Sequence, residues 1–249
     1  LFRSCPIHSP DGGNVGLHKH LSMSTHITSG CSIKPFISYL RKLKIKLLEE
    51  CNIDYLSKTT KLFLNGRWIG VTTTPLEIVS IMRLHRRNKL IDIYTSIFFD
   101  IKRNEILICT DAGRPTRPLF YMYNNELSFE RELVMNKYDK NELSWNNLIY
   151  GFNNENKSYL DENCKIVFTT NSVQKLLDNS AVLEYIDTQE GEGILLANSQ
   201  WVRDQYAKKK VTHCEIHPSL ILSIQANQVI FPQKDRKSTH LNSSHQIIS

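Results

Sequence analysis

Asn65-Gly66 lies between two short apolar runs in "KLFLNGRWIGV", and no other pair of residues in the chain restricts its fold so tightly. Both residue types accept the left-handed backbone that a two-residue hairpin turn needs, so the flanking runs are predicted to pair as antiparallel strands. The next stretch, "TTPLEIVSIMRLHRRNKL", places Thr74 as an N-cap, Pro75 at the first helical position and Glu77 three residues after the cap, which predicts a helix. Arg83, Arg86, Arg87 and Lys89 fall at its far end, where the helix dipole favours cations, and this accounts for them without a bound phosphate. Two further strands, "IDIYTSIFFDI" and "EILICTD", are separated by the polar turn "KRN". Residues 61–110 are therefore expected to form a small α+β module.

The signals on either side are weaker. Residues 1–33 are rich in Gly, Ser, His and Pro and read as irregular loop. "PFISYLRKLKIKLLEEC", from Pro35 to Cys51, spaces Leu40, Leu43, Leu47 and Leu48 as on an amphipathic helix, with its Lys and Arg on the wet face. From Asp111, "DAGRPTRPLFYM" leaves the module through Gly and Pro, and the Asn-rich stretch 124–180 offers one short helix near Ser172 to Leu177. The last part alternates acidic and apolar pieces, "LEYIDTQEGEGILLA" and "THCEIHPSLILSIQANQVIFP" among them. The run "DRKSTHLNSSHQIIS", Asp235 to Ser249, breaks this character abruptly. It resembles one reading frame of a common short-read sequencing adapter, with His240 where the usual translation has Arg; the alternative is a natural disordered polar tail. On the adapter reading the natural chain continues differently after Lys234, and the start at Leu1, without Met, extends the same expectation to the other end.

Composition narrows the class. With 41% hydrophobic residues in 249, there is enough apolar material for a core or several small ones. No apolar run approaches the roughly 20 residues of a membrane span, so no membrane partner is expected. The net charge is +6, of which the tail contributes a net +1; such a mildly basic chain is compatible with polyanions without requiring them. Cys5, Cys31, Cys51, Cys109, Cys164 and Cys214 are scattered, the pattern of a reducing compartment rather than a disulfide framework.

Several constellations carry possible chemistry. Cys5-x-x-His8 and Cys214-x-x-His217 together would complete a tetrahedral zinc set, with His18, His20, His26 and His213 in reserve. The pairs lie about 200 residues apart, however, whereas structural zinc sites draw on closely spaced pairs, and the competing reading is ordinary loop and core residues. "PDGGNVGLHK" has Gly and Lys without the order that wraps a phosphate. His213-Cys214 are adjacent and point different ways. Asp187, Glu190 and Glu192 are hard-cation donors in type, but three acids in a Gly-containing loop are expected to be simply solvated.

No single motif decides the function, but their order along the chain carries a resemblance. "CPIHSPDGGNVGLHKHLS" resembles the Cys-Pro-x-x-(Ser/Thr)-Pro-(Glu/Asp)-Gly-x-x-x-Gly-Leu signature of the second-largest subunit of multisubunit DNA-directed RNA polymerases. "NGRWIG", "RRNKL", "SIFFD", "DAGRPTRPLF", "EYIDTQEGEGILLA" and "THCEIHPSLILSIQANQVIFP" follow in that family's order. The resemblance implies an α+β, multi-module piece. Residues 1–33 would end the fork region with an active-centre loop, 34–123 would form one external domain with a helical lead-in, 124–180 a second, and 181–234 would begin the hybrid-binding domain. It also implies template-directed RNA synthesis from nucleoside triphosphates by two-metal phosphoryl transfer. The Mg2+ would be held outside this piece, by aspartates of the largest subunit and by an acidic pair downstream of "IFPQ", so the piece would be inactive alone. No zinc is expected in it, since the family's zinc also lies downstream.

Carried over by position, Pro10, Asp11, Gly12, Gly16 and Lys19 would line the active centre, with Asp11 near the nucleotide. His213, Glu215, His217 and Pro218 would lead into the floor under the RNA:DNA hybrid, which is read by shape and backbone. The implied partners are the largest subunit and other polymerase subunits, DNA template, RNA:DNA hybrid and nucleoside triphosphates. The implied location is intracellular, with nucleus, viral factory in host cytoplasm and virion all open. His8-Ser9-Pro10-Asp11 departs from the family's frequent Glu-Thr-Pro-Glu and leans toward large DNA viruses; Gln189 and Gly191 interrupt its usual acidic run. A rival of another class is a noncatalytic nucleic-acid-binding module on the same scaffold.

Overall fold

The computed structural model describes residues 4–10, 12–43, 45–124, 126–152, 170–197 and 211–230. Asp11 and the adapter-like stretch 235–249 lie outside the described residues. In chain order the elements begin with β1 (His26–Ile27), α1 (Lys34–Lys42), β2 (Lys46–Leu47), α2 (Ile53–Lys58), β3 (Thr60–Leu64) and β4 (Arg67–Thr72). Then come α3 (Pro75–Arg87), β5 (Ser96–Asp100), β6 (Glu105–Cys109), β7 (Pro115–Tyr123), β8 (Glu126–Leu127), α4 (Glu132–Asp139) and α5 (Trp145–Tyr150). The series closes with α6 (Thr170–Asp178), β9 (Leu183–Ile186), α7 (Thr188–Gly191), β10 (Leu196–Ala197), β11 (His213–Cys214) and α8 (Ile224–Gln228).

The expected module forms the first sheet, ordered β2-β4-β3-β6-β5. β3 and β4 are antiparallel across Asn65 and Gly66, whose φ angles of 48° and 76° are those the hairpin turn requires. Asn65 does more than turn the chain. Its side chain accepts the Thr110 N–H at 2.7 Å and donates to Thr110 Oγ1 at 3.0 Å and Asp111 Oδ1 at 2.7 Å, fastening the turn to the end of β6. β3 and β6 run parallel, which demands a crossover, and α3 with β5 supplies it. Burial alternates along β3, with Thr60, Leu62 and Leu64 inward. That inner face packs with Ile97, Ile106 and Ile108 against Ile78, Val79 and Met82 of α3 and Phe36 and Leu40 of α1.

The second sheet is built on β7, nine residues long. β1, β8, β9 and β11 all pair antiparallel with it, and β10 runs parallel to β11. Its apolar side gathers Phe120, Leu127, Val134, Ile149, Val182, Leu183 and Cys214. The α+β class read from the sequence therefore stands, with both sheets carrying helices.

Two local expectations are corrected. The helix read from Pro35 to Cys51 stops at Lys42, and Lys46–Leu47 pairs with β4 instead. Leu43 and Ile45 are both buried, a two-residue alternation hidden inside the helical spacing of Leu40, Leu43 and Leu47; the free edge of β4 decides between them. Thr74 does not cap α3 with its side chain; its own N–H donates to Thr72 Oγ1 at 3.2 Å, while Pro75 and Glu77 keep their places in the first turn. "DAGRPTRPLFYM" leaves the first module as read from its Gly and Pro, and it continues as a strand of the second sheet. Pro115 opens β7 and Pro118 stands inside it, and the strand forms because partners from four directions along the chain pair with its remaining backbone groups. The short helix near Ser172–Leu177 is present as α6.

Candidate functional site

The Gly-rich stretch closes on itself. Ser4 and Leu21 form a β-bridge, and the Cys5 N–H donates to the His20 carbonyl at 2.7 Å, so residues 5–20 make one loop with pinned ends. At its tip Gly12–Asn14 form a single 3-10 turn. Gly12 and Gly16 have φ of +86° and +78°, and a Cβ on either would meet nothing within 4 Å. Their backbone is thus open to an approaching ligand, in a conformation that L side chains avoid. Residues 12–21, Lys19 included, are all exposed, and Leu17 presents 75% of its surface. Pro10 is half-buried where the loop leaves its base.

This loop docks on the segment around Leu222 and Ser223, about 200 residues further along the chain. His8 Nδ1 lies 2.9 Å from Ser223 Oγ, and the Met23 N–H donates to the Leu222 carbonyl at 2.8 Å. His8 also stacks on His20, with ring centroids 3.6 Å apart and planes 3° from parallel. The segment beneath begins with His217, whose Nδ1 accepts the Ser219 N–H at 3.2 Å, and Pro218, the first residue of a short 3-10 turn; both are exposed. The structure thus anchors the base of the loop, through His8, to the segment headed by His217 and Pro218, while Gly12, Gly16 and Lys19 stand exposed on the loop itself.

His213 and Glu215 are placed differently, inside the second sheet. His213 Nε2 is 3.2 Å from Glu184 Oε2, and Glu215 is ion-paired with Arg117, both pairs almost fully buried. Burial pushes the Glu215 carboxyl up despite Arg117.

Between the two sheets lies a network that sequence reasoning missed. Arg86, 2% exposed, holds Glu190 through two hydrogen bonds of 2.6 and 2.9 Å and Glu184 through one of 2.7 Å. Arg87 adds bonds of 3.2 and 3.0 Å to Glu184, and Arg83 Nε stands 3.3 Å from Glu190. Burial alone would raise the Glu184 carboxyl; Arg87, Arg86 and His213 overcome it and hold the group well below the usual carboxylate range. Asp187 accepts from Ser96 Oγ at 2.8 Å, from the Glu190 N–H at 2.8 Å, and from Arg114 at 2.9 Å.

Two expectations change accordingly. Of the three acids read as solvated, only Glu192 is exposed. Arg86 and Arg87 do not answer the helix dipole at a wet helix end, because carboxylates from β9 and α7 reach them first. The available signal was a charge inside an apolar strand, Arg117 in "TRPLFYM" and Glu184 in "VLEYI", since such a charge must find a partner when buried.

Among the described residues no group of three or more His, Cys, Asp or Glu stands together as metal ligands. The two Cys-x-x-His pairs do not assemble: His8 is taken by Ser223, and His217 by Ser219.

Comparison with known proteins follows this division. The family model for RNA polymerase Rpb2, domain 3, matches residues 1–27, which carry the Gly-rich loop, and that for RNA polymerase Rpb2, domain 4, matches residues 62–123, which run from the hairpin to the end of β7. DNA-directed RNA polymerase II subunit RPB2 of Encephalitozoon cuniculi is 31% identical, with 93% of this chain and 18% of that protein aligned. The Schizosaccharomyces pombe subunit of the same name is 30% identical, with 93% and 20% aligned. DNA-directed RNA polymerase subunit 2 of Acanthamoeba polyphaga mimivirus is 28% identical, with 93% and 19% aligned. The chain spans about a fifth of the length of the curated relatives it matches. Matched at the Gly-rich loop and the hairpin module, and aligned with such relatives over nearly all its residues, the chain belongs to the family of second-largest subunits of multisubunit DNA-directed RNA polymerases.

Proposed function

We propose that this chain contributes one wall of the transcribing centre in a multisubunit DNA-directed RNA polymerase, and that the complete enzyme joins nucleoside triphosphates into RNA on a DNA template. The observation that carries the reading is the anchoring of the 5–20 loop, through His8 on Ser223, to the segment that starts at His217, which leaves a Gly-containing tip fully exposed to solvent. In this reading the open backbone at Gly12 and Gly16 approaches nucleic acid closely, and Lys19 offers an ammonium to phosphate oxygens. Asp11 would lie near the nucleotide by family position. His213 and Glu215 act from beneath, by setting where the segment begins.

Among the described residues no group of carboxylates or other donors stands together for a divalent cation. The Mg2+ ions of two-metal transfer would stabilise the entering and leaving oxygens from other parts of the enzyme. The partners in this reading are the largest subunit and other polymerase subunits, the DNA template with its RNA:DNA hybrid, and nucleoside triphosphates. The setting is intracellular. Residues 1–33 would close the fork region, 34–123 and 124–180 would be external domains, and 181–234 would begin the hybrid-binding domain.

The test is photocrosslinking in the assembled polymerase stalled on a template. A benzophenone side chain at Leu17 is expected to label RNA or template, and one at Lys102, in the exposed β5–β6 turn, is expected not to. Absence of label from Leu17, or equal label from both, would overturn the reading.

A further inference from the structure

The two imidazoles at the base of the Gly-rich loop form a close stack that protonation of both rings would destabilise. Ser223 Oγ already accepts the Ala226 N–H at 3.2 Å as the N-cap of α8. Its hydroxyl hydrogen can donate to His8 Nδ1 at 2.9 Å when that nitrogen carries no proton, whereas a protonated Nδ1 would donate into the second lone pair of the Ser223 oxygen. Across the stack, His20 lies 3.6 Å away, so two imidazolium ions there would repel at contact distance. The surroundings offer no relief. On the loop itself the other titratable or charged residues are Cys5, Asp11 (outside the described residues), His18 and Lys19. On the segment packed beneath, "IHPSLILSIQANQVI", His217 is the sole titratable residue, and Glu215 just before it is tied to Arg117. Among the described residues no carboxylate pairs with either ring.

We propose that the His8–His20 stack is a pH-sensitive latch, holding the Gly-rich loop on the cap of α8 while the rings are neutral and releasing it when both are protonated. His8 stands where the resembling family often has Glu, so the device belongs to this chain's own sequence. Burial and then the His20 charge lower the His8 pKa from its ordinary value. The closed loop thus binds fewer protons than the open one: closure is complete above about pH 6.5 and weakens as the pH falls below it.

Hydrogen–deuterium exchange of the full chain at pH 7.5 and 5.0, corrected for intrinsic rates, reads this directly. The Cys5 and Met23 amides, which donate to His20 and Leu222, are expected to lose protection at pH 5.0, by up to about tenfold per pH unit for each proton taken up on opening. Amides of the first sheet serve as the reference for global unfolding. In His8→Gln, whose amide still reaches Ser223 but does not titrate, the pH dependence is expected to vanish. Unchanged protection in the wild type overturns the latch, as does a loss that survives in His8→Gln. Should that variant fail to fold, histidine NMR of the wild type decides: the His8 ring must titrate below its ordinary value, and an ordinary His8 titration refutes the latch. No ligand enters either measurement, so the outcome is independent of the polymerase reading.

Discussion

Replacing Arg86 by Met tests whether the buried ions join the two sheets. Met keeps an unbranched apolar stem and removes only the charged head. The head makes four hydrogen bonds: to the Thr95 carbonyl at 2.6 Å, to both oxygens of Glu190 at 2.6 and 2.9 Å, and to Glu184 Oε1 at 2.7 Å. Its loss does not fall equally on the two acids. Glu184 retains Arg87 and His213. Among the described residues Glu190 retains the Arg83 Nε at 3.3 Å, the Ile97 N–H at 3.4 Å and its place in α7. Breaking a buried pair by removing one partner costs about 3–5 kcal/mol, and Glu190 carries most of it. Against a typical domain stability of about 5–15 kcal/mol and a urea slope of about 2 kcal/mol per molar, the midpoint is expected to fall by about 2 M. Arg103→Met, which removes an exposed pair at 3.7 Å with Asp100, is expected to stay within about 1 kcal/mol of wild type. Arg86→Met with Glu190→Leu should recover part of the loss, because the double change leaves no orphaned carboxylate at Glu190. A loss below about 1 kcal/mol for Arg86→Met, or a double variant no better than the single, would refute the reasoning.

Acid should weaken the fold in two adjoining windows. Burial pushes the His85 pKa down to about 4, so its contribution is full above the ordinary histidine value of about 6.5 and declines as the pH falls toward 4. Glu184, held well below the carboxylate range, adds a loss that begins under about pH 4.3. Urea titrations at pH 7.5, 5.5 and 4 are expected to show both, and His85→Gln to remove the first. Gly70→Ala would put a Cβ 2.3 Å from the Lys46 carbonyl oxygen; backbone against backbone cannot give, so a loss of at least about 1–3 kcal/mol is expected in thermal melts. Gly13→Ala, with nothing within 4 Å, should be neutral to within about 0.5 kcal/mol. Asn65→Gly keeps the turn conformation but loses the bonds to Thr110 and Asp111, an expected cost of about 1–3 kcal/mol. Asn65→Ala should be worse, since it adds left-handed strain, and the order of the two melting temperatures checks the assignment.

Local chemistry made some of this legible beforehand. Asn65-Gly66 and Pro75 announce the hairpin and α3 because their backbone preferences do not depend on distant partners. Pairing across long sequence distances is another matter. β2 forms because β4 has a free edge, and β7 holds two prolines yet becomes the centre of a sheet because β1, β9 and β11 converge on it. The burial of Glu190 is equally invisible locally: in "DTQEGEG" it looks like Glu192, and only the arrival of Arg86 about 100 residues away distinguishes them. At the loop, the Gly and His content announced an irregular exposed tip, but the docking on Ser223 depends on a segment about 200 residues further along the chain, which no local pattern reports.

Apart from "NGRWIG" in the hairpin, the sequence blocks that carry the family resemblance converge on two places. "RRNKL" supplies Arg86 and Arg87, "SIFFD" supplies Ser96, "DAGRPTRPLF" supplies Arg114, and "EYIDTQEGEG" supplies Glu184, Asp187 and Glu190; these side chains meet in one buried network. "CPIHSPDGG" and "THCEIHPSLILS" meet instead at the docked loop, through His8 and Ser223. The first set is spent on architecture. Its charges are already neutralised by one another, and a group with a buried ionic partner has little left to offer a phosphate or a metal. The second set leaves its backbone and Lys19 facing solvent. In the proposed reading, chemistry with an outside molecule falls to the loop, and the middle blocks fix the sheet from which residues 213–223 set out. It follows that Arg86→Met and Leu17 crosslinking probe separable properties: the first should alter stability at neutral pH with no nucleic acid present, the second should respond to nucleic acid alone.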